Sequence, residues 1–248
     1  MAAQILLLDI ETAPSLGHIW KLWDENIPLA RLLKSGYMLC YSAKWYQQDQ
    51  IYFDSLYESS PKALAKGIHK LLNDADAVVH YNGKRFDIPH INSEIVRAGL
   101  KPPSPFKQID LLTTVRNRFK FPSNKLEYVV KELGIGIKSA PTYDVWKGCM
   151  NDDEESWAAM QEYNINDTIL LEKLYTYLRP WINNHPNLGI YQDESLVCPA
   201  CTSTHYHKRG VAVTKACRYQ RFQCSDCGHW FRATTPREPK AGAKFSSI

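Results

Sequence analysis

The chain has 248 residues, a net charge of +4 and 44% hydrophobic residues, enough for one large folded body and a small module. No apolar run approaches the roughly 18 residues of a membrane helix, which argues against a membrane protein. The N-terminus MAAQILLLDIE lacks the basic start of a secretory signal, so a cytoplasmic site is expected. The seven cysteines are an odd total, and five of them fall between Cys198 and Cys227, which favours a metal cluster plus free thiols over a disulfide scaffold. From Ser195 onward nine Lys/Arg face two acids, whereas the preceding body is mildly acidic. Such a tail either meets phosphate or stays solvated.

In chain order, QILLLDI predicts a first strand that runs into Asp9 and Glu11. GYMLCYSAKWY and QIYFDSLY predict the next two strands, an antiparallel meander across the short polar QQD. PKALAKGIHKLLNDA has the apolar spacing of a helix, with Pro61 just ahead of it. DAVVHY predicts a short buried strand, and IPHINSEIVRAG a helix with Pro89 in its first turn. FKQIDLLTTV reads as a further strand and NKLEYVVKELGI as a helix ended by Gly134 or Gly136. DDEESWAAMQEYNINDTILLEKLYTYL is the longest helix, opened by acids and stopped near Pro180. Strands first and then strands alternating with helices predict an α/β fold with a mixed central sheet. NNHPNLGIYQDES reads as a linker, the cysteine-bearing segment after it as β-rich, and TPREPKAGAKFSSI as a disordered tail. The expected domains are therefore 1–182, a linker 183–195, a module 196–235 and a basic tail 236–248.

Three acidic pieces carry chemistry. Asp9 and Glu11 are two residues apart, so on a strand they share a face. Carboxylates that close either raise one pKa or take a cation between them, and oxygen-only ligands suit Mg²⁺ or Mn²⁺. A solvated strand end, with Glu11 or Thr12 as a cap, is the alternative. Asp87 follows an Asn82-Gly83 turn at the start of a helix, where it serves either as a cap or as a carboxylate fixed beside Lys84 and Arg85. Tyr163 and Asp167 share a helix face, and Asp167 interrupts the apolar stripe Ile165, Ile169, Leu170. That position suits a metal ligand or an acid paired with a base. His80 and His90 read as structural histidines, and Asp110 as a fifth acid that either reaches the site or serves as a capping or supporting residue. Trp20 and Trp23 are expected in the core, with contact to a base as the alternative.

In order and spacing these pieces resemble the DEDD superfamily of 3′–5′ exonucleases, which have a ribonuclease H-like fold, over roughly residues 4–180. Asp9-x-Glu11 matches the first motif, Asn82-x-x-x-Phe86-Asp87 the second and Tyr163-x-x-x-Asp167 the third. The tyrosine marks the DEDDy branch; Glu162 stands where the other branch has histidine. The second motif is similar to that of the proofreading exonuclease domain of family B DNA polymerases and their free-standing relatives. The resemblance implies that Asp9, Glu11, Asp87 and Asp167 hold two Mg²⁺ or Mn²⁺ ions, which activate water and clamp the oxygens of an in-line displacement. It gives Tyr163 the attacking water; a phenol with a pKa of about 10 suits positioning better than base catalysis. Lys84 and Arg85 stand near for phosphate, Asn82 either bonds the nucleic acid or only forms the turn, and Phe86 either stacks on the terminal nucleotide or packs in the core. The product implied is a nucleoside 5′-monophosphate released from a 3′ end.

Cys198-x-x-Cys201 and Cys224-x-x-Cys227 present four thiolates, the tetrahedral set of a structural Zn²⁺ with no open position. Cys217 lies off both knuckles and reads as a free thiol. RYQRFQCSDCGHWFRA resembles the second half of zinc ribbons found in transposases. Its alternating charge and π faces give Arg218, Arg221 and Arg232 to nucleic acid and Phe222 and Phe231 to the core. A protein partner for the ribbon is the alternative. The leading expectation is a stand-alone metal-dependent 3′–5′ exonuclease on DNA. An RNA-trimming exoribonuclease shares its chemistry. A catalytically silent nucleic-acid-binding adaptor is the third reading, against which the presence of all four acids weighs.

Overall fold

The computed structural model describes residues 3–23, 26–137, 141–183, 185–192, 196–214 and 217–237. They form two compact units, one of Gln4–Tyr175 and one that groups Ala3 with the chain from Thr176 onward. In the first unit β1 (Ile5–Ala13) leads through β2 (Leu16–Gly17) and β3 (Leu32–Lys34) to β4 (Tyr37–Trp45) and β5 (Ile51–Ser55). Then come α1 (Pro61–Asn73), β6 (Ala77–His80), α2 (Asp87–Arg97), β7 (Lys107–Asp110) and α3 (Leu111–Arg118). The last helices are α4 (Leu126–Glu132), α5 (Tyr143–Cys149) and α6 (Glu154–Leu178), which runs across the division. The sheet order is β5-β4-β1-β6-β7, antiparallel among β5, β4 and β1 and parallel among β1, β6 and β7. This is the expected mixed sheet flanked by helices.

β1 is apolar because it is central: Leu6, Leu7 and Leu8 are completely buried, each stabilising the fold by about 1.5–3 kcal/mol. Its alternation sorts its side chains between two layers. Leu6, Leu8 and Ile10 pack with Leu64 and Ile68 of α1 and Ile88 and Ile91 of α2. Asp9 and Glu11, one residue out of phase, turn to the face covered by α6. A bulge follows them: Glu11 pairs with Cys40 but Thr12 with Met38, so the ladder shifts just beyond the acids and leaves their common face intact.

Three sequence expectations are corrected. FKQIDLLTTV is not one strand; β7 stops at Asp110, whose carboxylate accepts the N–H groups of Leu112 and Thr113 and starts α3. Trp20 and Trp23 are not core residues but 75% and 81% exposed. They lie between β2 and β3, a two-stranded pair outside the main sheet, so no helix layer covers them. On α6 Leu170 is buried as expected, in a stripe with Trp157, Met160, Asn164, Asp167, Leu171 and Leu174, but Ile165 and Ile169 stay half-exposed. α5 and the β2–β3 pair were not anticipated.

The second unit holds a three-stranded antiparallel sheet, β10-β9-β8, from β8 (Tyr206–Val213), β9 (Arg218–Cys224) and β10 (Trp230–Arg232). Its small core gathers Cys198, Ala200, Cys224 and Phe231. The segment read as a linker includes a 3-10 turn at Leu188–Gln192; Leu188 is buried and its N–H donates to the Pro199 carbonyl. The tail beyond Arg237 lies outside the described residues. No described helix is long and apolar enough to cross a membrane.

Candidate metal centre

α6 carries Asn164 and Asp167 into the core on consecutive turns of its buried stripe, opposite the acidic face of β1. Carboxylate oxygens of Asp9, Glu11 and Asp167 all lie within 4.8 Å of one another. Asn164, with no exposed surface, donates from Nδ2 to Asp9 Oδ2 at 2.6 Å, while its Oδ1 accepts from the Cys40 thiol at 3.7 Å. A buried amide thus fixes the rotamer of one acid. Three anionic groups this close need a cation or a proton among them. Ligands on opposite sides of one hard divalent ion stand on the order of 4–5 Å apart, so this oxygen set fits such an ion.

Asp87 lies outside that group of three and is tied to β1 through the backbone instead. It is 4% exposed, in the first turn of α2, and its Oδ1 accepts the N–H of Ile10 at 3.2 Å. Ile10 is the residue between Asp9 and Glu11, so this bond ties the second motif to the first. Phe86, not Asp87, occupies the cap position. Burial pushes the Asp87 carboxyl up to about 7; its own N–H and that of Ile10 oppose the shift, and the charge of Asp110 adds to it.

The turn before α2 is built around His80. This histidine is fully buried, its Nδ1 accepting from Gly83 N–H at 3.0 Å and its Nε2 3.3 Å from Gln108 Oε1. Burial lowers its pKa, which keeps the ring neutral and structural. A Cβ on Gly83 would stand 2.4 Å from the His80 ring, so only glycine fits. Asn82 adopts a left-handed φ of 71° and donates its N–H to Asp110 Oδ1 at 3.0 Å. Asp110 is therefore committed to Asn82 and to the start of α3. Lys84, Arg85 and Phe86 are exposed, and the Phe86 ring lies 4.7 Å from that of His90.

Tyr163 is half-buried, edge-on to Trp146 at 6.0 Å. With Asn82 it lines an open cleft of about 640 Å³ that also takes in Tyr81, Arg116, Asn124 and Lys125. Sequence reasoning missed the two cations and Asn164. The cations are unmarked surface residues in sequence; Asn164 left a trace, an amide inside a strong helix.

The four knuckle cysteines also converge. Sγ atoms stand 3.7 Å apart for Cys198–Cys227 and 3.6 Å for Cys201–Cys224, with all four within 4.8 Å. Tetrahedral Zn–S bonds of about 2.3 Å place sulfurs about 3.8 Å apart, so the spacing fits one zinc. Burial works against the Cys224 thiolate, but the N–H groups of Cys227 and Asp226 and neighbouring thiols outweigh it and bring its pKa to about 7. Cys217, His205, His207 and His229 lie outside this group. Arg218 and Arg221 stand on β9 and Arg232 on β10, all exposed.

A search of curated proteins finds no match. Among solved structures the chain is similar to the family B DNA polymerase from the hyperthermophilic archaeon Pyrobaculum calidifontis, with a TM-score of 0.52 and 15% identity. The likeness covers 72% of this chain and 25% of the polymerase, so the chain spans about a quarter of that protein, and at this identity what is shared is the fold. A family profile described as RNase H superfamily matches residues 34–179, more than half of the sequence. With the strand order and the acids gathered between β1 and α6, that match establishes that the chain belongs to the RNase H superfamily.

Proposed function

We propose that this protein is a metal-dependent 3′–5′ exonuclease that hydrolyses DNA from a 3′ end and releases nucleoside 5′-monophosphates. One observation carries the reading: Asp9, Glu11 and Asp167 converge within 4.8 Å, and Asp87 is bonded to the residue between the first two. These four carboxylates would hold two Mg²⁺ or Mn²⁺ ions. Divalent ions at such a site acidify a water and offset charge on the phosphate as it is displaced in line. Every other role falls to the chain itself. Asn164 keeps Asp9 aimed, Tyr163 orients the attacking water from the cleft wall, and Asn82 meets the terminal nucleotide. Lys84, Arg85 and Phe86 contact the strand from the start of α2, and Arg116 and Lys125 add positive charge to the cleft. Asp87, whose carboxyl burial pushes up to about 7, would have to lose its proton to hold an ion. In this reading residues 1–182 form the nuclease body in a cytoplasmic protein. The linker 183–195 joins it to a ribbon over 196–235 with one structural zinc and a basic tail over 236–248. The ribbon would bind nucleic acid or a protein partner.

The test is incubation of the purified protein with end-labelled single-stranded DNA, duplex DNA and RNA in Mg²⁺ or Mn²⁺. Stepwise shortening of DNA from its 3′ end, abolished in Asp9→Ala and Asp167→Ala, is the expected result. Shortening confined to RNA would replace DNA by RNA as the substrate. Undiminished cleavage by either variant, or no cleavage of any polymer by the wild type, would overturn the reading.

A further inference from the structure

The ribbon sheet has two chemically opposite faces, and the zinc accounts for only one. On the inner face Tyr206, Phe222 and Phe231 form a cluster with ring centroids 5.4–5.5 Å apart, beside Cys224. Alternation puts Tyr219, Arg221 and Gln223 of β9 and Trp230 and Arg232 of β10 on the outer face, whereas Arg218 falls on the inner face with Phe222.

That outer face is ordered as ring, cation, cation, ring. The Arg232 guanidinium lies 3.8 Å over the Tyr219 ring and that of Arg221 5.0 Å over the Trp230 ring. Arg221 Nε also donates to the Arg209 carbonyl at 2.8 Å, which holds its guanidinium in place. Arg221 and Arg232 are direct cross-strand partners. Like charges in that relation destabilise a sheet. The only acid among the described residues from Leu196 to Arg237 is Asp226, which is bonded to Ser203 at 2.6 Å and lies 3.4 Å from His205. No described acid on the ribbon is therefore left to balance the pair, although Trp230 stands 48% exposed beside it.

We infer that this face is a binding platform for single-stranded nucleic acid. One backbone phosphate sits between the Arg221 and Arg232 guanidiniums, and the flanking bases stack against Trp230 and Tyr219. A phosphate removes the repulsion that the sequence builds in. Only unpaired bases offer a free π face to the rings, which is why the occupant is a single strand rather than a duplex. An acidic peptide would neutralise the arginines but leave the Trp230 ring in water. The platform does not rest on the nuclease reading and stands if that reading fails.

The test uses the full chain carrying Asp167→Asn, in buffer without chelator or added divalent ions, so that bound zinc is retained and cleavage is prevented. Fluorescence anisotropy measures binding of a 20-nucleotide oligo-dT, a hairpin-closed duplex of equal length, and polyglutamate as competitor. Zinc content reports an intact ribbon. With zinc unchanged, Trp230→Ala should weaken oligo-dT binding roughly 5- to 150-fold while leaving duplex binding unaltered, and Trp230→Phe should restore most of the loss. Arg221→Gln should lower the slope of log affinity against log salt by about 0.7. Equal affinity of Trp230→Ala and its parent for oligo-dT, failure of Trp230→Phe to rescue, duplex bound as tightly as single strand, or equal displacement by polyglutamate would each overturn the platform.

Discussion

Replacing Asp87 by asparagine removes one buried charge yet keeps the carbonyl oxygen that accepts the Ile10 N–H. Burial raises this carboxyl from 3.8 to about 7 in the folded protein. The folded state therefore holds the proton more tightly than the unfolded chain does. Its stabilising effect is complete below pH 3.8, declines as the pH rises towards 7, and is absent above that. A shift of about three units at about 1.4 kcal/mol each is worth about 4 kcal/mol. Without divalent ions, then, the wild type should melt progressively lower from pH 5 to pH 8. Asp87→Asn should show little of that slope and at pH 8 melt about 10 °C higher, taking about 2–4 °C per kcal/mol for a unit of this size. Thermal unfolding followed by circular dichroism, in buffer free of chelator, measures both. Added Mn²⁺ should raise the wild type at pH 8 and Asp87→Asn much less. Parallel pH profiles for the two proteins, or a less stable variant at pH 8, would refute the buried-charge argument.

The remaining predictions concern the supports of the two candidate metal sites. Asn164→Leu deletes the bond to Asp9; Mn²⁺ affinity by calorimetry should fall about 10- to 100-fold, and unchanged affinity would mean Asp9 needs no such support. Gly83→Ala forces a Cβ to within 2.4 Å of the His80 ring; urea unfolding should register a loss of about 1–3 kcal/mol, and no loss would show that His80 moves freely. Cys201→Ser should take zinc from one per chain to none by metal analysis while the helical circular dichroism persists. Retained zinc would exclude the four-cysteine site.

What could be read from the residues was what depends on near neighbours. Three leucines before Asp9 marked a central strand because the two-residue period and the apolar run are local properties. Two Cys-x-x-Cys pairs marked a four-thiol cluster because chelate geometry is largely set within each knuckle. The start of α3 was equally local, since Asp110 before Leu111 is a good cap, but the apolar run through Leu112 masked it. Trp20 and Trp23 went astray for a different reason: whether an apolar residue is covered depends on which layer lies above it, and here none does.

The sequence by itself determined the sheet-and-helix alternation, the order of the acidic motifs and the tetrad of thiols. Only the tertiary structure decided that Asp87 closes onto Ile10, 77 residues away, and that Asn164 holds Asp9 across 155 residues. It also sorted the ribbon arginines, pairing Arg221 with Arg232 and setting Arg218 apart. The reason is the same in each case. These contacts join side chains from different elements, and which of them meet is fixed by strand register and helix rotation, which follow from burying the apolar face of each element rather than from the polar residues themselves.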